Sequence, residues 1–90
     1  MTGATPDEPS AFFVYLVECA DGSLYCGIAK DVARRVRQHN DGKGARYTRG
    51  RGPVVLVDQA GPLPWGDALR LERRVKRKPR DAKRAALRGG

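Results

Sequence analysis

Six side chains in this chain have types and spacing that could do chemistry: Tyr15, Tyr25, Arg35, His39, Tyr47 and Glu72. Tyr15 and Tyr25 lie on either side of Asp21-Gly22 in FFVYLVECADGSLYCG, Phe12 to Gly27, which reads as a β-hairpin. Its register decides whether the two rings can act together. A two-residue turn opposes Glu18 to Tyr25 and sends the tyrosines to opposite sheet faces. A three-residue loop, Ala20-Asp21-Gly22, opposes Val17 to Tyr25 and Tyr15 to Gly27, so both rings share a face. The second register is preferred because it explains Gly27, which would otherwise only weaken a strand. With no side chain, Gly27 leaves room for the Tyr15 ring. The bland alternative is two core tyrosines and a chance glycine.

Arg35 and His39 belong to a helix that Asp31 caps and that runs to about Asn40, with Gly42 and Gly44 ending it. Val32 and Val36 define its buried stripe, and Arg35 and His39 border that stripe on a 100° wheel. An inward arginine needs a partner, either a structural salt bridge or an anion held against the sheet. Glu72 raises a similar choice. It is the one acid among Arg70, Arg73, Arg74, Lys76, Arg77 and Lys78, on the same side of its helix as Val75. It either pairs with Lys76 at i,i+4, or it presents a carboxylate to the tyrosine face, where it can hold a hard divalent cation.

The residues resemble the GIY-YIG nucleases. Phe13-Val14-Tyr15 matches the first tripeptide with Phe13 in place of its glycine, and Tyr25-Cys26-Gly27 matches the second. The likeness runs from about Phe12 to Leu87. It is strongest to small stand-alone bacterial members, which are similar to the nuclease domain of the DNA excision-repair endonuclease. The resemblance implies a magnesium- or manganese-dependent endonuclease that hydrolyses DNA phosphodiester bonds and reads structure rather than sequence. Tyr15 would be the general base, helped by nearby cations that favour its phenolate, and Tyr25 would orient the water or a phosphate oxygen. Arg35 would neutralise the scissile phosphate, and Glu72 would hold one Mg²⁺ or Mn²⁺ ion. His39 either assists the base or packs. Tyr47, in a loop where stand-alone members also carry a tyrosine and a threonine, is an additional site residue. Many relatives carry an asparagine late in the domain, and this chain has none after Asn40.

Composition bounds the elements that must position these groups. Ninety residues make one small domain, whose site is an open face rather than a deep cavity. Two cysteines and one histidine are too few for a structural zinc site, and in the preferred register Cys19 and Cys26 point to opposite faces, which argues against a disulfide. Neither a transmembrane run nor a signal peptide is evident, so the expected setting is cytoplasmic. The net charge is +8. Eight basic and eight acidic side chains balance up to Leu69, while ten cations face only Glu72 and Asp81 from Arg70 to Arg88. Such a segment is either a solvated helical face or the footprint of a polyanion.

In chain order, residues 1–11 read as a disordered leader and residues 12–88 as a single domain. The first strand is apolar on nearly every residue and so is expected at the centre of the sheet. The loop from Gly42 to Pro53 interleaves Lys43, Arg46, Arg49 and Arg51 with Tyr47, suited either to a nucleic-acid backbone with a stacked base or to a mobile connector. Pro53 to Asp58 reads as a third strand buried on both faces, and Gly61 to Gly66 as a turn-rich link in which Trp65 covers a core edge. A helix from near Asp67 to before Pro79 places Ala68, Leu71 and Val75 inward. A short basic helix, Arg80 to Leu87, closes the chain with Ala82, Ala85 and Ala86 on its less polar side. The expected fold is α+β, a three-stranded antiparallel or mixed sheet flanked by helices. The expected partner is nucleic acid, DNA in the first place with RNA left open, gripped by Lys43, Arg46, Arg49, Arg51, Arg73, Lys76, Arg77, Lys78 and Arg80. A monomer is expected. The alternatives are a non-catalytic basic binding module and a subunit that cleaves only with a protein partner.

Overall fold

The computed structural model describes residues 10–89, so nearly all of the leader read over residues 1–11 lies outside the described residues. Strands β1 (Phe12–Glu18), β2 (Leu24–Ala29) and β3 (Val55–Leu63) form one antiparallel sheet in the order β2-β1-β3. Helix α1 (Val32–Asn40) follows β2, and α2 (Trp65–Lys76) and α3 (Arg80–Leu87) follow β3. A single 3-10 turn, Arg46–Thr48, interrupts the long loop between α1 and β3.

The central strand is the one the apolar run predicts. Val14, Tyr15, Leu16 and Val17 of β1 are all fully buried, because both faces of the sheet are covered. On one face Tyr15, Val17 and Cys19 pack with Val32 of α1 and with Val54. On the other, Val14, Leu16 and Cys26 pack with Ala68 and Val75 of α2 and with Ala86 and Leu87 of α3. The sheet is thus the middle layer, and side-chain alternation along β1 divides its residues between the two cores. Cys19 and Cys26 fall on opposite faces and are both free.

The hairpin takes the three-residue loop. Tyr15 opposes Gly27 and Val17 opposes Tyr25, and Cys19 N–H donates to the Ser23 carbonyl at 2.8 Å. Gly22 has φ +84°, a conformation that costs glycine little. Asp21 fixes the turn by accepting from the Ser23 N–H and hydroxyl at 3.0 and 2.6 Å. Asp31 caps α1 as expected, accepting from the Arg34 N–H at 3.0 Å.

Strand β3 differs from its sequence reading. It is an edge strand rather than one buried on both faces, with Val55 64% and Leu56 38% exposed. It also continues through the stretch read as a link, since Leu63 pairs with Phe12. Two register shifts along the β1–β3 ladder absorb the irregular backbone, and an edge strand tolerates Gly61 and Pro62 because its outer side has no partner to lose. Helix α2 begins two residues earlier than expected, at Trp65, whose ring meets Phe12 edge-on at 5.1 Å. On α3 the inward residues are Ala86 and Leu87, while Ala85 is exposed. The helix is anchored by charge as well. Asp58 of β3 accepts from Arg84 Nε at 3.3 Å and from Arg88 Nε at 2.6 Å.

Candidate active site at the tyrosine pair

Gly27 is required by the Tyr15 ring. A Cβ at this position would stand 2.5 Å from the Tyr15 hydroxyl oxygen and 2.7 Å from Cζ, closer than real contacts allow. Tyr15 therefore lies across its cross-strand neighbour, and its hydroxyl reaches His39. Tyr15 Oη and His39 Nε2 are 2.7 Å apart, both residues being at most 2% exposed.

His39 is held from its other side by the loop. Nδ1 lies 2.8 Å from Thr48 Oγ1 and 3.3 Å from the Ala45 amide nitrogen, while the Thr48 hydroxyl donates to the Ala45 carbonyl at 2.9 Å. This chain supports two proton arrangements. With the proton on Nδ1 and donated to Thr48, the Nε2 lone pair faces the Tyr15 hydroxyl. With the proton on Nε2, the ring donates to Tyr15 and Nδ1 accepts from Ala45. Interconversion of this kind is what a proton relay requires. Gly44 is as necessary here as Gly27 is to Tyr15, because a Cβ on it would strike the His39 ring.

Burial sets the charge states. Tyr15 is pushed up to about 12 by burial, against the downward pull of the Arg35 guanidinium. Its phenol is therefore protonated near neutrality, so the expected phenolate is not what the site favours. His39 is held below its usual value, first by burial and then by the Arg35 charge, and so is neutral at pH 7 with a lone pair to give. Arg35 is partly buried and donates from Nη1 to Gln38 Oε1 at 3.0 Å. It forms no salt bridge with any described residue and also bonds the Tyr15 hydroxyl.

Above Tyr15 the aromatic rings are layered. Tyr25 contacts the His39 ring edge-on at 5.4 Å, Tyr47 stacks on Tyr25 at 5.7 Å, and the Arg51 guanidinium lies over Tyr47 at 4.4 Å. Arg51 also bonds Asp21 Oδ2 at 2.7 Å, tying the loop to the hairpin turn. Tyr47 is 41% exposed and Tyr15 1%.

Glu72 is not aimed at the tyrosine face as expected. Helix α2 packs on the Cys26 face of the sheet, opposite Tyr15. The Glu72 carboxylate pairs with Lys76 Nζ at 3.4 Å and lies near the Cys26 thiol, which burial and then the Glu72 charge push up to about 12. Lys76 in turn stands 5.7 Å from the Tyr25 ring centroid, so Glu72 joins the tyrosines around the β2 edge and not across the sheet. Its side chain is 17% exposed. The described residues contain no group of three or more His, Cys, Asp or Glu side chains placed to hold a metal. A single largely sheltered carboxylate suits a hard divalent ion that keeps most of its waters, and does not suit a dedicated protein cage.

The structure thus brings Tyr15, Tyr25, His39 and Tyr47 together with Arg35 beside them, and sets Glu72 at the adjoining edge. Arg80 belongs elsewhere. It bonds Glu18 at 3.0 Å and the Gly22 carbonyl at 2.6 Å, pinning α3 to the hairpin. Lys43, Arg46 and Arg49 are exposed on the loop. Sequence reasoning missed Thr48 and Gly44. The available signal was their position around Tyr47 and after His39, but only the folded loop shows that they grip the imidazole.

Residues 11–85 match the model of the GIY-YIG catalytic domain. A UPF0213 protein of Nitratidesulfovibrio vulgaris is 54% identical over 87 residues, covering 97% of this chain and 77% of that protein. A UPF0213 protein of Staphylococcus epidermidis is 49% identical over 78 residues, covering 87% of this chain and 95% of that protein. The solution NMR structure of a UPF0213 protein from Bacillus halodurans aligns with a TM-score of 0.53 at 46% identity, covering 88% of this chain and 86% of that one. A tyrosine pair set in register over a glycine, on a three-stranded sheet between helices, is therefore accompanied by likeness along most of the chain, which belongs to the GIY-YIG family.

Proposed function

We propose that the protein is a metal-dependent endonuclease that hydrolyses DNA phosphodiester bonds and selects substrate by shape. The observation that carries this reading is the buried hydroxyl–imidazole–hydroxyl chain from Tyr15 through His39 to Thr48, beside an arginine that forms no ion pair with any described acid. In the reaction, a water donates its proton to Tyr15 Oη as Tyr15 passes its own proton to His39 Nε2. The phenol need not ionise beforehand, which reconciles its raised pKa with a role as base. The water oxygen forms a bond to phosphorus while the opposite P–O bond breaks. Arg35 neutralises the phosphoryl oxygens through its planar fork, and Tyr25 orients the water or a phosphate oxygen. Glu72 would hold one Mg²⁺ or Mn²⁺, whose charge stabilises the leaving oxygen when bound. Lys43, Arg46 and Arg49 would contact the backbone near the site, with salt-sensitive affinity that is largely independent of base sequence.

A second reading is favoured by the 1% exposure of Tyr15 and the Glu72–Lys76 pair: a basic binding module, or a subunit that needs a partner to open the stack. Cleavage of supercoiled plasmid and branched oligonucleotides with Mg²⁺ or Mn²⁺ separates them, run beside Tyr15→Phe and Glu72→Ala. Metal-dependent nicking that vanishes in both variants supports the nuclease. Binding by all three proteins without cleavage by any supports the module, and cleavage restored by cell extract supports the partner-dependent subunit.

A further inference from the structure

The cations of the C-terminal third are of two kinds. Arg80 is bound to Glu18 and Asp81, Arg84 and Arg88 to Asp58, and Lys83 donates to the carbonyls of Val75 and Lys76. These charges hold α3 in place. Arg73, Arg74, Arg77 and Lys78 are exposed and form no ion pair with any described acid. With Arg70, which pairs with Asp67, they line an open groove of about 550 Å³ on the outer side of α2.

We propose that this outer face of α2 is a phosphate track for a single nucleic-acid strand leaving the tyrosine site. The inference rests on that site being one that takes nucleic acid. The link between the two is Lys76, which lines a shared hollow with Tyr25 and Tyr47 at the β2 edge. On a helical wheel Arg73 stands about 60° and Arg77 about 100° further around α2 from Lys76, away from the buried Val75. A single backbone that meets Lys76, Arg73 and Arg77 in succession follows a path around a helix about 10–12 Å across. Duplex DNA, with a persistence length of about 500 Å, does not follow such a curve. A flexible single strand does, and the track has no exposed aromatic on it, which suits backbone contact without base readout. The preferred substrate is then a duplex with a single-stranded tail or flap, the junction lying at the tyrosines.

The test is fluorescence anisotropy of the full chain with two labelled DNAs, a blunt duplex and the same duplex carrying a single-stranded flap, over a salt series. Wild type is expected to bind the flapped DNA more tightly. Joint replacement Arg73→Gln, Arg77→Gln and Lys78→Gln is expected to weaken flap binding by about tenfold or more, reduce its salt slope by about 2, and leave blunt-duplex binding nearly unchanged. Lys30→Gln with Arg34→Gln and Arg37→Gln, three exposed cations on and just before α1, controls for the net charge removed. Equal loss on both DNAs, or a control that weakens flap binding as much as the α2 variant, overturns the track. Cleavage is read separately. A flap preference lost in the α2 variant without cleavage by wild type leaves the track standing and removes the nuclease reading. Cleavage indifferent to flap and variant does the reverse, and absence of binding to either DNA removes both.

Discussion

Replacing Gly27 by alanine tests the central geometric claim. The new Cβ would sit 2.5 Å from Tyr15 Oη, where ordinary contact begins near 3.4 Å, so the phenol end must move by about 0.9 Å. It cannot move toward His39, which already stands at 2.7 Å and is fixed by Thr48. Nor can it move easily in a core where Tyr15 is 1% exposed. Overpacking of this kind costs about 1–3 kcal/mol, and losing the Tyr15–His39 bond about 1 kcal/mol more. At about 4–8 °C per kcal/mol for a domain of this size, the melting temperature should fall by about 8–30 °C. Nicking should fall further than the folded fraction does, since a displacement of about 1 Å in a reacting group can cost about 100-fold in rate. Calorimetry with a plasmid-nicking assay measures both. In a Tyr15→Phe background the nearest clash disappears, so the alanine should cost less there than in wild type. Unchanged melting and nicking in Gly27→Ala, or strict additivity in the double variant, would refute the packing argument and with it the reason given for glycine at this position.

Four further outcomes are expected. Glu72→Gln should abolish metal-dependent cleavage while leaving DNA affinity within about twofold, because one sheltered carboxylate contributes little to a salt-dependent backbone interaction; an electrophoretic shift beside the cleavage assay decides it. Tyr15 at about 12 against an unfolded value of 10.0 means that the unfolded chain releases its proton first as pH rises, so stability worth on the order of 3 kcal/mol is lost between about pH 10 and 12. Urea unfolding of Tyr15→Phe should lack that alkaline loss. His39 behaves oppositely: its folded value lies below 6.5, the unfolded chain takes up the proton first, and both stability and cleavage fall as pH drops from about 6.5 toward the folded value. Thr48→Val should change that acid limb of the rate profile by releasing Nδ1, and an identical profile would exclude Thr48 from the relay. Asp58 is held below its usual value chiefly by the Arg88 hydrogen bond, so its stabilisation is present above about pH 4 and lost as pH falls further. Asp58→Asn should flatten this acid transition and loosen α3, visible as faster amide exchange over Arg80–Leu87.

Local patterns were sufficient for the parts of the molecule governed by short-range physics. The apolar run at Val14–Val17 specified the central strand because burial on both faces leaves no polar alternation. Asp21-Gly22, with a glycine at 27, selected the hairpin register because side-chain alternation makes a one-residue slip flip every residue to the other face. Asp31 specified the start of α1 through a bond spanning three residues. What lay beyond the sequence depends on packing between distant elements. Whether Val55 and Leu56 are covered is decided by which strand lies at the sheet edge, not by their own hydrophobicity. The protonation of Tyr15 follows from burial beneath a loop more than thirty positions away, which outweighs the arginine that the sequence places near it. The side of the sheet from which Glu72 reaches the tyrosines, and the clasp of Thr48 on His39, are likewise settled by how α2 and the 3-10 turn dock. Sequence determined which strand pair carries the tyrosines and in what register; tertiary structure decided which loop groups join them, their charge states and their access, because desolvation and long-range contacts exist only once the layers close over one another.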